Sequence, residues 1–320
     1  MTLSGLHHVS AITAHIADNK RFYTETMGMR LVKRSVNQDD VSAYHLFYAD
    51  AQGSPGTDLT FFDYAGARRE TPGMRSITRT GLRVTGEASV QFWAQRLAAA
   101  GVPHAPITER DGRLTLDFED AEGQRLMIVD DGGLGDAPVA WDGSDVPAEH
   151  QIRGLGPVVM SVPVLEQTDL MLRAVLNMRA VRTYAHPEGG EVHVYEMGEE
   201  GSGGAHAELH VAVQPDMPVV RPGAGGVHHV AFRTPDEAQY HAWSARLTEF
   251  GLPHSGEVDR YYFRSLYVRE PGGILFEIAT DGPGFAVDED EATLGETVVL
   301  PPRLEPRRAE ILAGLTPIDA

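Results

Sequence analysis

Apolar and polar positions along this chain change period in a fixed, recurring order. A short apolar run, residues 9–13 or 230–234, reads as a strand. It is followed by a stretch at helical spacing, as at residues 237–250, where Tyr240, Trp243, Leu247 and Phe250 fall on one face. Gly251, with Pro253 just beyond, predicts the end of that helix. Two alternating segments come next, residues 261–269 and 274–280, on either side of the turn signal Glu270-Pro271-Gly272-Gly273. The local unit is βαβββ.

The order recurs because the sequence repeats. Moved by 150 positions, Trp93, Arg96, Leu97, Gly101, Pro103 and His104 fall on Trp243, Arg246, Leu247, Gly251, Pro253 and His254, and Arg110 and Gly123 fall on Arg260 and Gly273. A weaker match at 149 lays Gly5, Leu6, Val9, Met29 and Arg30 on Gly154, Leu155, Val158, Met178 and Arg179. Four units result, near residues 5–65, 75–133, 154–215 and 225–282. A curled sheet with one helix buries only one face, so the units must pair. The expected fold class is α+β, with four βαβββ modules paired into two half-barrel cups. The expected organisation is an N-terminal pair of modules at 1–140, a linker at 141–153 and a C-terminal pair at 154–282. A tail at 283–320, acidic and then proline-rich, is expected to wrap the surface with a short helix near 305–315.

Composition narrows the function. The chain has 320 residues, 42% apolar and 23% charged, which is the balance of a folded globular protein. A net charge of −19 repels phosphate backbones and anionic lipid, so neither nucleic acid nor membrane is expected as a partner. With no cysteine, any metal must sit on His, Asp or Glu. The start lacks the pattern of a secretory signal and no stretch approaches 18 uninterrupted apolar residues, which predicts a cytoplasmic protein. A homo-oligomer is compatible with these features.

The repeat also supplies a control, because what all units share is packing and what one unit carries alone is candidate chemistry. Unit one opens with Leu6-His7-His8-Val9 and unit four with Val227-His228-His229-Val230, whereas unit two has Thr78-Arg79 and unit three Gly156-Pro157. Near the closing strand, unit four has Phe276-Glu277-Ile278 where unit two has Leu126-Met127-Ile128. A carboxylate between core residues needs a partner. His8, His229 and Glu277 thus make a candidate two-His, one-carboxylate triad, a set that leaves coordination positions open and suits non-haem Fe(II) better than zinc or nickel. The bland readings stand beside it: with 14 histidines in 320 residues, about 0.6 His-His pairs arise by chance. Glu277 can be an arginine's ion-pair partner, Tyr267 a sheet aromatic, and Arg260, recurring as Arg110, a structural residue. Strict strand alternation turns His7 and His228 away from the face of His8 and His229. The His206-Ala-Glu-Leu-His210 stretch is read as no metal motif, since strand positions four apart lie about 13 Å from each other. No Gly-x-Ser-x-Gly elbow supports hydrolase chemistry.

The repeated unit, with Gly-Leu-His-His-Val-Ser, Gly-Val-His-His-Val-Ala-Phe and Pro-Gly-Gly-Ile-Leu-Phe-Glu, resembles the vicinal oxygen chelate superfamily. Within it the chain is most similar to the hydroquinone (chlorohydroquinone) ring-cleaving dioxygenases. That likeness rests also on Val32-Lys33-Arg34, Tyr44-His45-Leu46, the 53–60 segment with Pro55-Gly56-Thr57, Tyr267-Val268-Arg269, and the Asp288-Glu289-Asp290-Glu291 tail. The resemblance implies a dioxygenase with Fe(II) on His8, His229 and Glu277 and a small aromatic substrate consumed with O2. It implies outer-shell roles for His7, His228, Arg260 and Tyr267, and Ser10 stands where the family can carry Thr. Tyr267 is expected to hydrogen-bond the substrate, His228 to act as acid or base if a strand irregularity or a relay brings it inward, and Arg260 to hold the anionic ring or the emerging acid. The resemblance also requires unit one to reach the cup of unit four. Two other readings are a glyoxalase-type isomerase, whose branch usually takes four protein ligands with two glutamates, and a binder that sequesters a quinone or drug without catalysis.

Overall fold

The computed structural model describes residues 1–319. Unit one supplies strands β1 (Leu6–Thr13), β2 (Arg30–Val36), β3 (Tyr44–Ala49) and β4 (Asp58–Asp63). Unit two supplies β5 (Ser76–Val84), β6 (Thr108–Arg110), β7 (Arg113–Glu119) and β8 (Arg125–Asp130). Unit three has β9 (Gly154–Val162), β10 (Arg179–Ala185), β11 (Glu191–Glu196) and β12 (Glu208–Val213). Unit four has β13 (Val227–Thr234), β14 (Val258–Asp259), β15 (Phe263–Arg269) and β16 (Leu275–Pro283).

These strands form two eight-stranded sheets, β14-β15-β16-β13-β1-β4-β3-β2 and β10-β11-β12-β9-β5-β8-β7-β6. Unit four therefore joins unit one, and unit three joins unit two. The seams are antiparallel, β1 against β13 and β5 against β9. Modules from residues 1–140 thus share sheets with modules from 154–282 rather than with each other, which carries β1 into the sheet of unit four.

The helices pack outside the sheets through the predicted stripe. In Glu237–Glu249, Tyr240, Trp243 and Leu247 are buried, and Val90, Trp93 and Leu97 are buried in the matching helix Glu87–Ala99. Phe250, expected on that stripe, is instead the C-cap and is 47% exposed, because the chain turns away at Gly251 with φ 67°. In units one and three the helix is shorter and widens into a π-turn, Phe22–Thr26 and Met171–Val175. The expected strand from residue 261 begins only at Phe263, since Tyr261 takes φ 74° in a tight turn whose Asp259 carboxylate accepts the Tyr261 N–H.

The tail does more than wrap the surface. Its helix, Arg308–Gly314, follows a 3-10 turn at Glu305–Arg307, and Leu300, Leu304 and Ile311 pack on Val36. Phe285 and Leu294 join a cluster with Val32, Phe47, Tyr262 and Phe263 on the first sheet. Lys33, fully buried, is neutralised by this tail: its Nζ donates to the Phe285 carbonyl (2.9 Å), to Asp288 (2.7 Å) and to Glu289. Among the described residues no helix is long and apolar enough to cross a membrane.

Candidate metal centre and aromatic cavity

His8, His229 and Glu277 stand on three adjacent strands, β1, β13 and β16. The register places Ser10 opposite His229 and Ala231 beside Glu277, so the three side chains converge on the concave face. Their donor atoms meet: Nε2 of His8 and Nε2 of His229 are 3.1 Å apart, and Glu277 Oε2 lies 3.2 Å from the first and 2.9 Å from the second. All three residues are buried. Two bare imidazole nitrogens facing each other cannot satisfy both, and neither ring is aligned to hydrogen-bond the carboxylate, so both Glu277 oxygens remain without a hydrogen bond. Ligands about 2.1 Å from one ion and at right angles to one another lie about 3.0 Å apart, which is the spacing observed. The donor set fits a divalent metal better than it fits itself.

The neighbouring histidines correct the alternation argument. The β1–β13 ladder slips between Leu6 and His8 and again opposite Ser10 and Ala11, so His7 and His228 are each the extra residue of a bulge. Both rings consequently lean onto the ligand beside them. His7 Nδ1 is 2.9 Å from His8 Nδ1, and His228 Nδ1 is 2.8 Å from His229 Nδ1. On the first side the proton positions follow from a fixed acceptor. His7 Nε2 lies 3.1 Å from the Thr280 carbonyl and must donate to it. His7 Nδ1 is then an acceptor, His8 donates from Nδ1, and His8 Nε2 is left as a free lone pair aimed at the other donors. Burial, with His8 next to it, pushes His7 down to about 3, so it is neutral at pH 7, and desolvation with His229 nearby lowers His228 as well.

A cavity of about 330 Å³ opens in front of this group. His8, His229 and His228 line it, whereas His7 and Ser10 lie behind the wall. Phe47, Phe62, Phe263 and Tyr262 make its sides aromatic, and Asn37 and Asp39, from the loop after β2, with Arg260 and Tyr267 make one end polar. Tyr267 packs edge-on to His229 at 5.8 Å, and its hydroxyl accepts from Arg260 Nε at 3.2 Å. Burial and the Glu277 charge raise the Tyr267 phenol above its ordinary value, so its proton is retained. Arg260 spends its two terminal nitrogens on Asp39, at 3.1 and 2.7 Å. Asp39 is largely exposed, so this ion pair lies at the solvent side of the cavity.

Ser10 is fully buried and reaches the cavity only through others: its Oγ lies 2.7 Å from Thr60 Oγ1, which lies 3.0 Å from Nε2 of His45. His45 lines the cavity and escaped the sequence reading as a site residue, as did Asp39 and Phe62. The signals for His45 were a place in a strand and in the Tyr44-His45-Leu46 motif of the resemblance, neither of which names a chemistry. His206 and His210 do not share a donor group among the described residues. His210 instead lies in a second acidic group with Asp111 and Glu208 in the other cup, a group assembled from units two and three that no sequence spacing announced.

Comparison with known proteins places this geometry. A family model for the Glyoxalase/Bleomycin resistance protein/Dioxygenase superfamily matches residues 5–128 and again 155–278. A Bacillus subtilis protein provisionally named ring-cleaving dioxygenase MhqA is 46% identical over 321 residues, covering 100% of both chains. A Sphingobium indicum protein named chlorohydroquinone/hydroquinone 1,2-dioxygenase is 30% identical over 328 residues, covering 97% of this chain and 95% of the other. A Bacillus subtilis crystal structure, provisionally described as a dioxygenase, superposes with a TM-score of 0.90 at 34% identity, covering 99% of this chain and 98% of that one. Maize glyoxalase I shares the fold, with a TM-score of 0.62 at 15% identity over 87% of this chain and 92% of its own.

Proposed function

Since the chain belongs to the Glyoxalase/Bleomycin resistance protein/Dioxygenase superfamily, we propose that it is a ring-cleaving dioxygenase that opens a hydroquinone-type aromatic and incorporates both atoms of O2, with Fe(II) held by His8, His229 and Glu277. The observation that carries this reading is the buried, unsatisfied carboxylate of Glu277 within 2.9 and 3.2 Å of the nitrogens of two imidazoles that line an aromatic cavity. Fe(II), when bound, supplies a Lewis acid that acidifies a coordinated ring hydroxyl and a place for O2 beside the ring.

The protein groups then have separate tasks. Phe47, Phe62 and Phe263 offer flat apolar walls that orient the ring and exclude water. Tyr267, its oxygen already accepting from Arg260, directs its proton toward an oxygen of the substrate. Arg260 is a positioning residue that acts through Tyr267 and is itself held by Asp39. For His229 to ligate through Nε2 it must donate from Nδ1 to His228, which leaves the His228 proton on Nε2, a rim atom with no protein partner among the described residues. His228 is thereby a proton donor on the cavity side. His7 holds the tautomer of His8 and touches no substrate. The isomerase alternative, with its second glutamate ligand, finds only Glu277 in the metal group.

The test is metal analysis of anaerobically purified protein followed by oxygen-electrode assays on hydroquinones and catechols. The expected result is O2 uptake in equal amount with hydroquinone, abolished by chelation and restored by Fe(II). Tight quinone binding with no oxygen uptake in the iron-loaded protein refutes it.

A further inference from the structure

His45 has a surrounding that the proposed roles leave unused. Its ring is held between Phe47 and Phe62, with centroids 3.9 and 4.3 Å away. Behind it runs the buried chain Ser10–Thr60–His45, whose links of 2.7 and 3.0 Å admit two directions of donation. If His45 Nε2 donated to Thr60 and Thr60 to Ser10, the Ser10 proton would have no acceptor, since Ser10 Oγ makes no other hydrogen bond among the described residues and is fully buried. In the opposite direction Ser10 donates to Thr60 and Thr60 donates to His45 Nε2. Every proton in the chain then has an acceptor, and the His45 proton must sit on Nδ1. That nitrogen has no protein partner among the described residues, and the ring lines the cavity. Phe62 spaces His45 from the metal group, its ring lying 6.3 Å from that of His229.

The geometry points to His45 Nδ1–H as a fixed donor for the ring oxygen remote from the His8–His229–Glu277 group, and so as the residue that selects aromatics oxygenated at both ends of the ring. This rests on the ring-cleaving reading of the cavity and adds to it the means of substrate selection. Burial, with His8 and His229 nearby, holds His45 well below the usual histidine range, so it offers one proton and no charge. A neutral donor in an aromatic slot favours a hydroxyl or quinone oxygen over a cationic substituent.

The test is anaerobic calorimetric titration of the Fe(II)-loaded protein with hydroquinone and with phenol, which lacks the remote oxygen. Wild type is expected to prefer hydroquinone by about five- to tenfold, the worth of one hydrogen bond. His45→Phe, which keeps an aromatic ring between the two phenylalanines, is expected to lose that preference while binding phenol as before. His45→Asn, whose amide nitrogen approximates Nδ1, is expected to retain most of it. Thr60→Val removes the partner that fixes the tautomer and is expected to lose part. An unchanged hydroquinone-to-phenol ratio in His45→Phe, an equal loss for both ligands, or no preference in wild type overturns the assignment. Oxygen uptake is measured separately: binding with the expected ratios but no oxygen consumption sinks the dioxygenase reading and leaves the His45 assignment standing.

Discussion

The two cups are built from the same repeated module and have reached opposite solutions. By the 150-residue shift His229, Tyr267 and Glu277 of the first sheet correspond to Arg79, Asp117 and Met127 of the second, and by the 149-residue shift His8 corresponds to Pro157. In the second cup every charge is met. Arg110 grips Asp117 at 3.1 and 2.7 Å and reaches the Met127 sulfur, while Arg79 lies 3.4 Å from the same carboxylate. Arg113 binds Glu208 at 2.6 and 2.8 Å, Arg182 bridges Asp111 and Glu208, and His210 joins Glu208 to Tyr184. Although Asp111, Glu208 and His210 lie close enough to share an ion, two guanidinium groups already supply the positive charge. In the first cup Arg260 has the place of Arg110 but turns to Asp39 and Tyr267, and the buried carboxylate is left to something outside the chain. A buried carboxylate beside two imidazoles and without a guanidinium partner, on a scaffold whose other cup pairs Asp117, Asp111 and Glu208 with arginines, is what distinguishes the first cup.

Making the first cup resemble the second is the strongest way to break that contrast. Glu277→Met installs the residue of the second cup. It is expected to reduce bound iron from about one per chain to near none and to abolish oxygen uptake with the fold intact, as read by metal analysis and circular dichroism; retained iron rules the triad out. A smaller effect is expected from His7→Phe, which removes the acceptor that sets the His8 tautomer. Metal affinity, measured by competition with a chromophoric chelator, is expected to fall about 10- to 100-fold, and His7→Asn, which offers an acceptor oxygen near Nδ1, to recover most of it. A merely structural His7 gives no such rescue.

The smallest expected effect tests the second cup. Burial opposes ionisation of Glu208, but Arg113 and His210 hold its carboxyl well below the ordinary range. A carboxyl with a depressed folded pKa stabilises the fold above its unfolded value of about 4.3, and that contribution is lost as pH falls below it. Glu208→Gln removes this share. Wild type is expected to lose stability more steeply than the variant in acid, by up to about 1.4 kcal/mol per pH unit below about pH 4.3, in urea titrations, with iron content equal in both. Parallel pH profiles, or a loss of iron, contradict the assignment of Glu208 to a purely electrostatic, metal-free cup.

Much of this was legible in the chain because repetition supplies its own control. The periods of 2 and 3.6, the Gly251 stop and the two shifts define the modules, and comparing the units isolates His8, His229 and Glu277 without any relative in view. What escaped were features that depend on how strands slip or on which side chains meet across units. His7 and His228 violate alternation because two bulges, visible only in the paired ladder, rotate them onto their neighbours. His45 gains meaning only from Thr60 and Ser10 on two adjoining strands, and Arg260 only from Asp39, 221 positions away.

The amino-acid sequence by itself determined the module, its fourfold use and the types of donor available to a metal, since periodicity and composition are local properties that a repeat makes self-checking. The tertiary structure alone decided which protons sit where and which charges remain unmet. Those depend on distances of about 3 Å between residues far apart in the chain, where a slip of one strand position exchanges the two faces of a sheet.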